Sequence, residues 1–243
     1  MKRVRFRDPA GSVRYGEWND ETVSFGDVTY AKKDVDILAP SSPSKVVCVG
    51  LNYADHAEES GMDIPERPLL FLKPPSAIAG HGDEVTLPKD KERLEFEAEL
   101  GVLIGKQCRH VDRDDAMDVV EGFTCVNDLS NRDDQYREQN WVRGKAFDGA
   151  APVGPCVAPP SDVSKSAGIQ LRHNGELRQS SSRDNLIFTV PELIEEITTY
   201  LTLEPGDIIA TGTPAGVGSL SDGDAIEITI EGVGTLKHTV HIP

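Results

Sequence analysis

The sequence is short of cysteine, of long hydrophobic runs and of positive charge, and each shortage excludes a class of protein. Its 243 residues include four cysteines. These are widely spaced and form no Cys-x-x-Cys pair, so a disulfide-rich secreted scaffold is not expected. No apolar stretch approaches the roughly 18 residues of a membrane-spanning helix, and no apolar signal-peptide segment follows the basic N-terminus. We therefore expect a cytoplasmic protein with reduced thiols and no membrane contact.

Positive charge is scarce, because 25 Lys and Arg stand against 41 Asp and Glu and give a net charge of −16. Such a surface repels phosphate backbones, which argues against direct nucleic-acid binding. Several catalytic signatures are also missing, namely G-x-S-x-G, H-E-x-x-H, the P-loop pattern and a G-x-G-x-x-G after a strand. Hydrolase triads and nucleotide sites are therefore disfavoured.

The order of the segments predicts two unequal parts. Residues 1–43 read as short strands with turns and a Pro/Ser-rich linker, which indicates a small β-rich N-terminal module. Residues 44–243 begin with the apolar strand KVVCVGLNY and form the main domain. Strands outnumber helices there and do not alternate with them regularly, so we predict an α+β fold with a mixed, curled β-sheet core.

Three segments of the main domain have clear local signatures. Asn174-Gly175 lies between two strand-like runs and predicts a type I′ hairpin. Pro191, followed by apolar residues at helical spacing, predicts an amphipathic helix in TVPELIEEITTYLTL. Ser130 and Asp133 have capping-box spacing, which predicts that a polar helix begins near residue 130.

Acidic residues inside apolar segments are the main chemical signal. Glu97 and Glu99 interrupt the apolar run LEFEAELGVLIG, and Asp128 follows a second run, GFTCVND. Side chains alternate along a strand, so Glu95, Glu97 and Glu99 share one face. A hard divalent cation such as Mg²⁺ would explain several carboxylates on one buried face. The alternative for the Glu-x-Glu pattern alone is a solvated strand face.

Other candidate groups are weaker when taken singly. His56 and Glu59 are three residues apart, so a helix would bring them within hydrogen-bonding reach as a general-base pair. Lys145 lies between apolar residues and could stabilise an oxyanion. The glycine-rich GTPAGVG could hold a carboxylate on its backbone N–H groups, helped by the Thr213 hydroxyl. The alternatives without a functional role are a solvated histidine, a surface lysine and an ordinary turn.

Together these segments resemble the fumarylacetoacetate hydrolase family. The resemblance covers about residues 45–225, and residues 1–42 match it more loosely. The matching segments, in order, are VVCVGLNYADHAEE, PLLFLKPPSAIAG, EFEAELGVLIGK, GFTCVNDLSNRDDQ, WVRGKAFDGAAPVGP and GDIIATGTPAGVG.

The resemblance implies a fold and a set of roles. The fold is the β-roll core of the fumarylacetoacetase C-terminal type, and a homodimer is expected. The implied residues are the metal ligands Glu97, Glu99 and Asp128 for Mg²⁺ or Mn²⁺, the catalytic residues His56, Glu59 and Lys145, and the substrate-binding residues Gln135 and Thr213.

Two positions depart from the family pattern. Leu51 stands where some acylpyruvate-cleaving members have arginine, which puts the recognition of the substrate carboxylate in doubt. Glu95 stands where several members have histidine, so it either tunes the metal from behind the ligands or is simply solvated.

The implied reaction is metal-dependent chemistry on a small 2-oxo acid through an enolate stabilised by the metal. Our main prediction is hydrolytic C–C cleavage of an acylpyruvate-type substrate, with oxaloacetate decarboxylation as a further activity. The first alternative is an isomerase or decarboxylase of 2-hydroxy-dienedioates from aromatic catabolism. The second is a non-catalytic protein that binds a metal and a 2-oxo acid.

Overall fold

Strands dominate this computed structural model, which describes residues 1–19 and 21–243. The strands are β1 (Arg3–Arg7), β2 (Val13–Trp18), β3 (Thr22–Phe25), β4 (Val28–Ala31), β5 (Asp36–Leu38), β6 (Val46–Gly50), β7 (Leu69–Lys73), β8 (Ile78–Ala79), β9 (Glu84–Thr86), β10 (Leu94–Phe96), β11 (Ala98–Ile104), β12 (Val120–Asn127), β13 (Ser130–Asn131), β14 (Ala151–Ala158), β15 (Gly168–His173), β16 (Glu176–Ser182), β17 (Ile208–Ala210), β18 (Gly218–Ser219), β19 (Ala225–Ile230) and β20 (Gly234–His241). The α-helices are α1 (Ala54–Glu59), α2 (Arg132–Gln135), α3 (Val142–Lys145) and α4 (Val190–Tyr200).

The largest sheet has twelve strands and carries the centre of the molecule. Its main path runs β4-β3-β2-β1-β14-β12-β11-β17-β6-β7, with β5 added beside β1 and β8 beside β14. Most neighbours are antiparallel, whereas β17 pairs with β6 in parallel. Every residue of β11 and of β14 is buried, as expected for strands covered on both faces.

A five-stranded sheet, in the order β16-β15-β19-β20-β9, covers the middle of the large sheet. Its strands β15, β19 and β20 pack against β11, β12 and β14, so the main apolar core lies between the two sheets. The predicted hairpin is confirmed, because β15 pairs with β16 and both turn residues have positive φ, 51° for Asn174 and 83° for Gly175.

Helix α4 confirms the amphipathic prediction. Pro191 lies in its first turn, and Thr189 and Glu192 form a capping box that satisfies the first backbone N–H groups. Leu193 and Ile197 are fully buried on the face that packs against the protein. Burying side chains of this size stabilises the fold by about 1.5–3 kcal/mol each.

A polar helix does begin near residue 130, as predicted, but the predicted capping box at Ser130 is wrong. Helix α2 begins at Arg132, and its N-cap residue makes no side-chain capping bond. The Ser130 hydroxyl instead donates to the Asp128 carbonyl at 2.9 Å, because Ser130 is held extended in β13, opposite Glu95 of β10. The Asp133 carboxylate accepts the backbone N–H of Glu92 at 2.7 Å. Strand pairing has therefore overridden the local capping signal.

The N-terminal strands extend the same large sheet. Strand β1 pairs with β14 in the register Arg3 to Val157, and β5 pairs with β1. The boundary between residues 43 and 44 therefore stays a prediction. The α+β class with a mixed, curled sheet core is confirmed, and the sheets are open.

Two further sequence predictions concern the thiols and the membrane. All four cysteines are buried, and none forms a disulfide in the described part of the chain. Burial raises the pKa of the Cys125 thiol to about 12, so this group is an inert core side chain. Among the described residues, no helix is both long and apolar enough to cross a bilayer.

Candidate active site

A cavity of about 600 Å³ opens beside the ends of β6, β7, β10 and β12. Helix α1 and the loop after β17 border it, and the segment from α2 to α3 closes the far side. All eight predicted site residues lie along this cavity. They are His56, Glu59, Glu97, Glu99, Asp128, Gln135, Lys145 and Thr213.

Three carboxylates meet at the bottom of the cavity. Glu97 occupies the break between β10 and β11, and Glu99 follows two residues later on the same face. Strand β12 runs antiparallel to β11, and the Asp128 N–H donates to the Glu97 carbonyl at 2.9 Å. One oxygen from each carboxylate lies within 4.8 Å of the others, and each residue is at most 4% exposed.

The carboxylates differ in their electrostatic surroundings. Burial acts to raise the pKa of Glu97, but Lys145 and Arg132 outweigh it and hold this pKa well below its usual range. Burial raises the pKa of Glu99 well above its usual range, and the charges of Asp128 and Glu97 raise it further. Glu99 is the group that stays protonated when nothing balances the negative charge of its neighbours.

Lys145 lies among the carboxylates at the floor of the cavity. Its Nζ donates to Glu97 Oε2 and Asp128 Oδ2, each at 2.8 Å, and to the Ser130 hydroxyl at 2.6 Å. Burial acts to lower the Lys145 pKa, but attraction from Asp128 and Glu97 raises it above its ordinary value. In this arrangement the side chain is a buried positive charge paired with two of the three carboxylates.

Two further buried cations were missed by the sequence analysis. Lys73 Nζ lies 2.7 Å from Asp128 Oδ1 and is fully buried. Arg132 Nε donates to Glu95 Oε2 at 2.6 Å, and its NH2 group donates to Glu97. Glu95 is therefore not solvated, because it pairs with the arginine that contacts the Glu97 carboxylate. In the sequence, the only sign of these cations is where they stand. Lys73 ends an apolar strand, and Arg132 follows the segment that contains Asp128.

The predicted His56–Glu59 pair is present on α1. His56 Nδ1 lies 3.3 Å from Glu59 Oε2, and His56 is 8% exposed. The Gly216 N–H donates to Glu59 Oε1 at 3.1 Å. The GTPAGVG loop therefore does hold carboxylates, but they belong to the protein, because its Gly212 N–H also donates to Glu99 Oε2 at 2.8 Å.

The two predicted substrate-binding residues line the cavity from different elements, Gln135 from α2 and Thr213 from the loop after β17. Gln135 Oε1 accepts a hydrogen bond from Arg132 NH1 at 2.8 Å. Thr213 is 3% exposed, and its hydroxyl accepts a hydrogen bond from Gln179 Nε2 at 2.8 Å. Leu51, the residue in place of arginine, lines the cavity with an unusual φ of 53° and offers no charge to a ligand.

The donor set fits a divalent cation. Carboxylate oxygens are the ligands that Mg²⁺ and Mn²⁺ prefer. Asp128 Oδ1 forms an ion pair with the Lys73 ammonium at 2.7 Å but has no hydrogen-bond donor, because the three N–H groups of that ammonium donate to backbone carbonyls. Around the floor of the cavity, buried carboxylates outnumber buried Lys and Arg side chains by four to three, which leaves negative charge for a cation to balance. The seven groups are Glu95, Glu97, Glu99 and Asp128 against Lys73, Arg132 and Lys145.

Comparison with known families agrees with the fold and the site. The profile described as fumarylacetoacetate (FAA) hydrolase C-terminal matches residues 45–241. The chain therefore belongs to the fumarylacetoacetate hydrolase family and has the fold of that enzyme family.

Particular relatives have different printed activities. Oxaloacetate tautomerase YisK of Bacillus subtilis is 43% identical over 249 residues, which cover 95% of this chain and 82% of YisK. The crystal structure of 5-carboxymethyl-2-hydroxymuconate delta-isomerase from Mycobacterium smegmatis superposes with a TM-score of 0.91 at 37% identity, covering 100% of this chain and 99% of that chain.

A third relative is a hydrolase with a bound metal. Maleylpyruvate hydrolase from Sphingobium sp. SYK-6, in complex with manganese (II) ion and pyruvate, superposes with a TM-score of 0.84 at 29% identity, covering 100% of this chain and 99% of that chain. The two relatives above that share more of the sequence are a tautomerase and an isomerase. The comparisons therefore favour the isomerase alternative over hydrolytic cleavage.

Proposed function

We propose that the protein is a divalent-metal-dependent enzyme that interconverts the keto and enol forms of a 2-oxo dicarboxylic acid, with oxaloacetate as the first candidate. The observation that carries the proposal is the buried triad of Glu97, Glu99 and Asp128 at the floor of a cavity lined by fixed cations. The names of YisK and the muconate isomerase support it, since both describe proton shifts that consume no water.

The metal and the cations would divide the electrostatic work. A divalent cation on the triad, Mg²⁺ or Mn²⁺, would stabilise negative charge that develops on the 2-oxo oxygen of the substrate. Lys145 adds a fixed positive charge at the same floor, 2.8 Å from two of the three carboxylates. Thr213 and Gln135 would orient the substrate in the cavity.

His56 would carry the proton. Its Nδ1 faces Glu59, which leaves Nε2 to exchange a proton with a ligand. In the forward direction, Nε2 takes a proton from C3, the C–H electron pair forms the C2=C3 bond, and the carbonyl electron pair moves to the oxygen. A proton then returns to that oxygen and completes the enol. Glu59 stabilises the charged imidazole between the two transfers.

The test is the rate at which oxaloacetate equilibrates between keto and enol forms, followed by the ultraviolet absorbance of the enol. We expect catalysis with Mg²⁺ or Mn²⁺ and its loss in EDTA. The matched variants are His56→Ala and Lys33→Ala, the second being remote from the cavity. Equilibration at the buffer rate with both metals would overturn the proposal.

Hydrolytic C–C cleavage remains the second candidate function. The observation that favours it is the His56–Glu59 pair, which has the arrangement needed to activate a water molecule. The Sphingobium maleylpyruvate hydrolase adds support at the level of the fold. A panel of acylpyruvates, oxaloacetate and 2-hydroxy-dienedioates separates cleavage, decarboxylation and isomerisation. Tight binding of oxalate without turnover of any of them would favour the non-catalytic alternative.

We also propose that the enzyme is a cytoplasmic homodimer. Exposed apolar side chains near the cavity, among them Met62, Leu72 and Val142, support a second copy as the partner. Light scattering on the purified protein tests the assembly, and a mass of twice 26.4 kDa is expected. A monomer at micromolar concentration would contradict it.

A further inference from the structure

A buried glutamine outside the predicted site contacts one of its members. Gln179 lies in β16 and is fully buried. Its Oε1 accepts the Ala98 N–H at 2.9 Å, and its Nε2 donates to the Thr213 hydroxyl at 2.8 Å and to the Pro214 carbonyl at 2.7 Å. The amide group therefore has a partner for its oxygen and for both of its N–H protons.

These partners leave the amide one orientation. The Ala98 N–H can only donate, and the Pro214 carbonyl can only accept. A flipped amide would place an N–H against the N–H of Ala98 and an oxygen against the Pro214 carbonyl. Because both contacts are buried, each mismatch would leave polar groups unpaired. Nε2 is therefore fixed as the atom that faces Thr213.

The fixed donor determines what the Thr213 hydroxyl can do. A hydroxyl has one proton to donate and two lone pairs to accept with. Since one lone pair already accepts from Gln179, the proton of Thr213 cannot point back along that bond. Within residues 1–19 and 21–243 the structure shows no acceptor for this proton. Thr213 lines the cavity, so a bound anion is the acceptor that the arrangement leaves open.

We propose that Gln179 is a positioning residue that holds the Thr213 hydroxyl as a hydrogen-bond donor toward a carboxylate of the bound 2-oxo acid. The inference rests on the proposed function for the class of ligand. It assigns to Gln179 a part in ligand affinity, which is distinct from stabilising the break between β10 and β11 through Ala98. A residue with only that structural role would alter the metal site and not the carboxylate contact.

The experiment is a double-mutant cycle on oxalate binding, measured by calorimetry with the Mg²⁺-saturated full-length protein. Oxalate is the probe because it carries adjacent carboxylates and is not turned over. Gln179→Met keeps the side-chain size and removes the donor, while Thr213→Val keeps the shape and removes the hydroxyl. Each is expected to weaken oxalate binding about tenfold, the range of one hydrogen bond to a charged group.

The double variant decides between the two roles. In the Thr213→Val background, we expect Gln179→Met to weaken oxalate binding no further. In the Thr213→Ser background, which retains the hydroxyl, Gln179→Met should weaken oxalate binding about tenfold. Affinity for Mg²⁺ alone, titrated separately, should stay within about twofold of the wild-type value. Losses that multiply in the double variant, or a fall in Mg²⁺ affinity equal to that for oxalate, would overturn the inference.

Two controls keep the outcomes distinct. Circular dichroism checks that each variant is folded, and Gln179→Asn, which is too short to reach Thr213, replaces Gln179→Met if the latter does not fold. If the wild-type protein with Mg²⁺ does not bind oxalate at all, the ligand class and the inference fall together. If it binds oxalate and the cycle is additive, the inference about Gln179 fails alone.

Discussion

Replacing Lys73 by methionine should destabilise the protein strongly, although Lys73 is not one of the predicted catalytic residues. Its Nζ lies 2.7 Å from Asp128 Oδ1, and both side chains are at most 1% exposed. The same ammonium donates to three backbone carbonyls. It donates to Leu129 at 3.2 Å and to Ala150 at 3.0 Å, and the third acceptor is the carbonyl of Lys145. Methionine fills a similar volume but satisfies none of these groups.

The expected loss follows from these contacts. Breaking a buried ion pair by removing one partner costs about 3–5 kcal/mol, and a buried carbonyl that loses its donor costs about 1–3 kcal/mol. These contributions overlap, because all four oxygens share one ammonium, so we expect a loss of about 4 kcal/mol in the free energy of unfolding. That is a large share of the roughly 5–15 kcal/mol of a typical domain.

Urea unfolding in EDTA measures the effect without a bound metal. With a slope of about 2–3 kcal/mol per molar urea, the midpoint of Lys73→Met should fall by about 1.5 M. The matched control is Lys237→Met, which removes an exposed ion pair of the same length, 2.7 Å to Glu227, and should cost under about 1 kcal/mol. If the two variants lose similar, small amounts, the reasoning about the buried ammonium is wrong.

Three further predictions concern the metal, the base and pH. Glu97→Ala and Asp128→Ala should remain folded but lose Mg²⁺ binding in calorimetry and activity together, whereas full activity in EDTA would contradict the metal site. His56→Ala should slow tautomerisation and any hydrolysis by about 10²–10⁴, yet leave oxaloacetate decarboxylation within tenfold in a coupled pyruvate assay; equal losses would remove His56 as the base. Burial lowers the pKa of His238 from 6.5 to about 4. Because the unfolded chain takes up this proton at a higher pH than the folded protein, stability falls as the pH drops from 6.5 toward 4. At pH 4.5 the loss is about 2.5 kcal/mol relative to the stability above pH 6.5. Between pH 6.5 and pH 4.5, the urea midpoint should therefore fall less for His238→Gln than for the wild-type protein.

The predictable parts of the fold are those fixed by local chemistry. The Asn174-Gly175 turn needs positive φ at both positions, and few other residue pairs accept it. The helix beginning before Pro191 has a cap, a proline and an apolar face within one short segment. Ser130 shows the limit, because its capping signal was equally local but pairing of β13 with β10 decided its conformation.

The residues of the candidate site likewise divide into those that the sequence predicts and those that it does not. The spacing of Glu97 and Glu99 places both on one strand face without further information. Lys73 carries no comparable signal, since the carbonyls it serves lie 56 to 77 residues away along the chain. Gln179 was missed for the same reason. Its three partners come from two other segments, and in the sequence it reads as one polar residue of a hairpin strand.

The long-range pairings that build the site also set when it can exist during folding. Its groups come from segments between His56 and Thr213, and the parallel pairing of β6 with β17 joins residues more than 160 positions apart. Pairings of such separation form slowly, because the loop between them must be closed first. No early folding intermediate can therefore hold the complete site, although its three metal ligands lie close together in the sequence, from the end of β10 to just after β12. A metal ion that binds the folded chain and not the unfolded one stabilises the fold by about 2.7 kcal/mol at a hundred times its dissociation constant. Recovery of activity during refolding, which needs His56 as well as the metal ligands, would then report the last step and not the first.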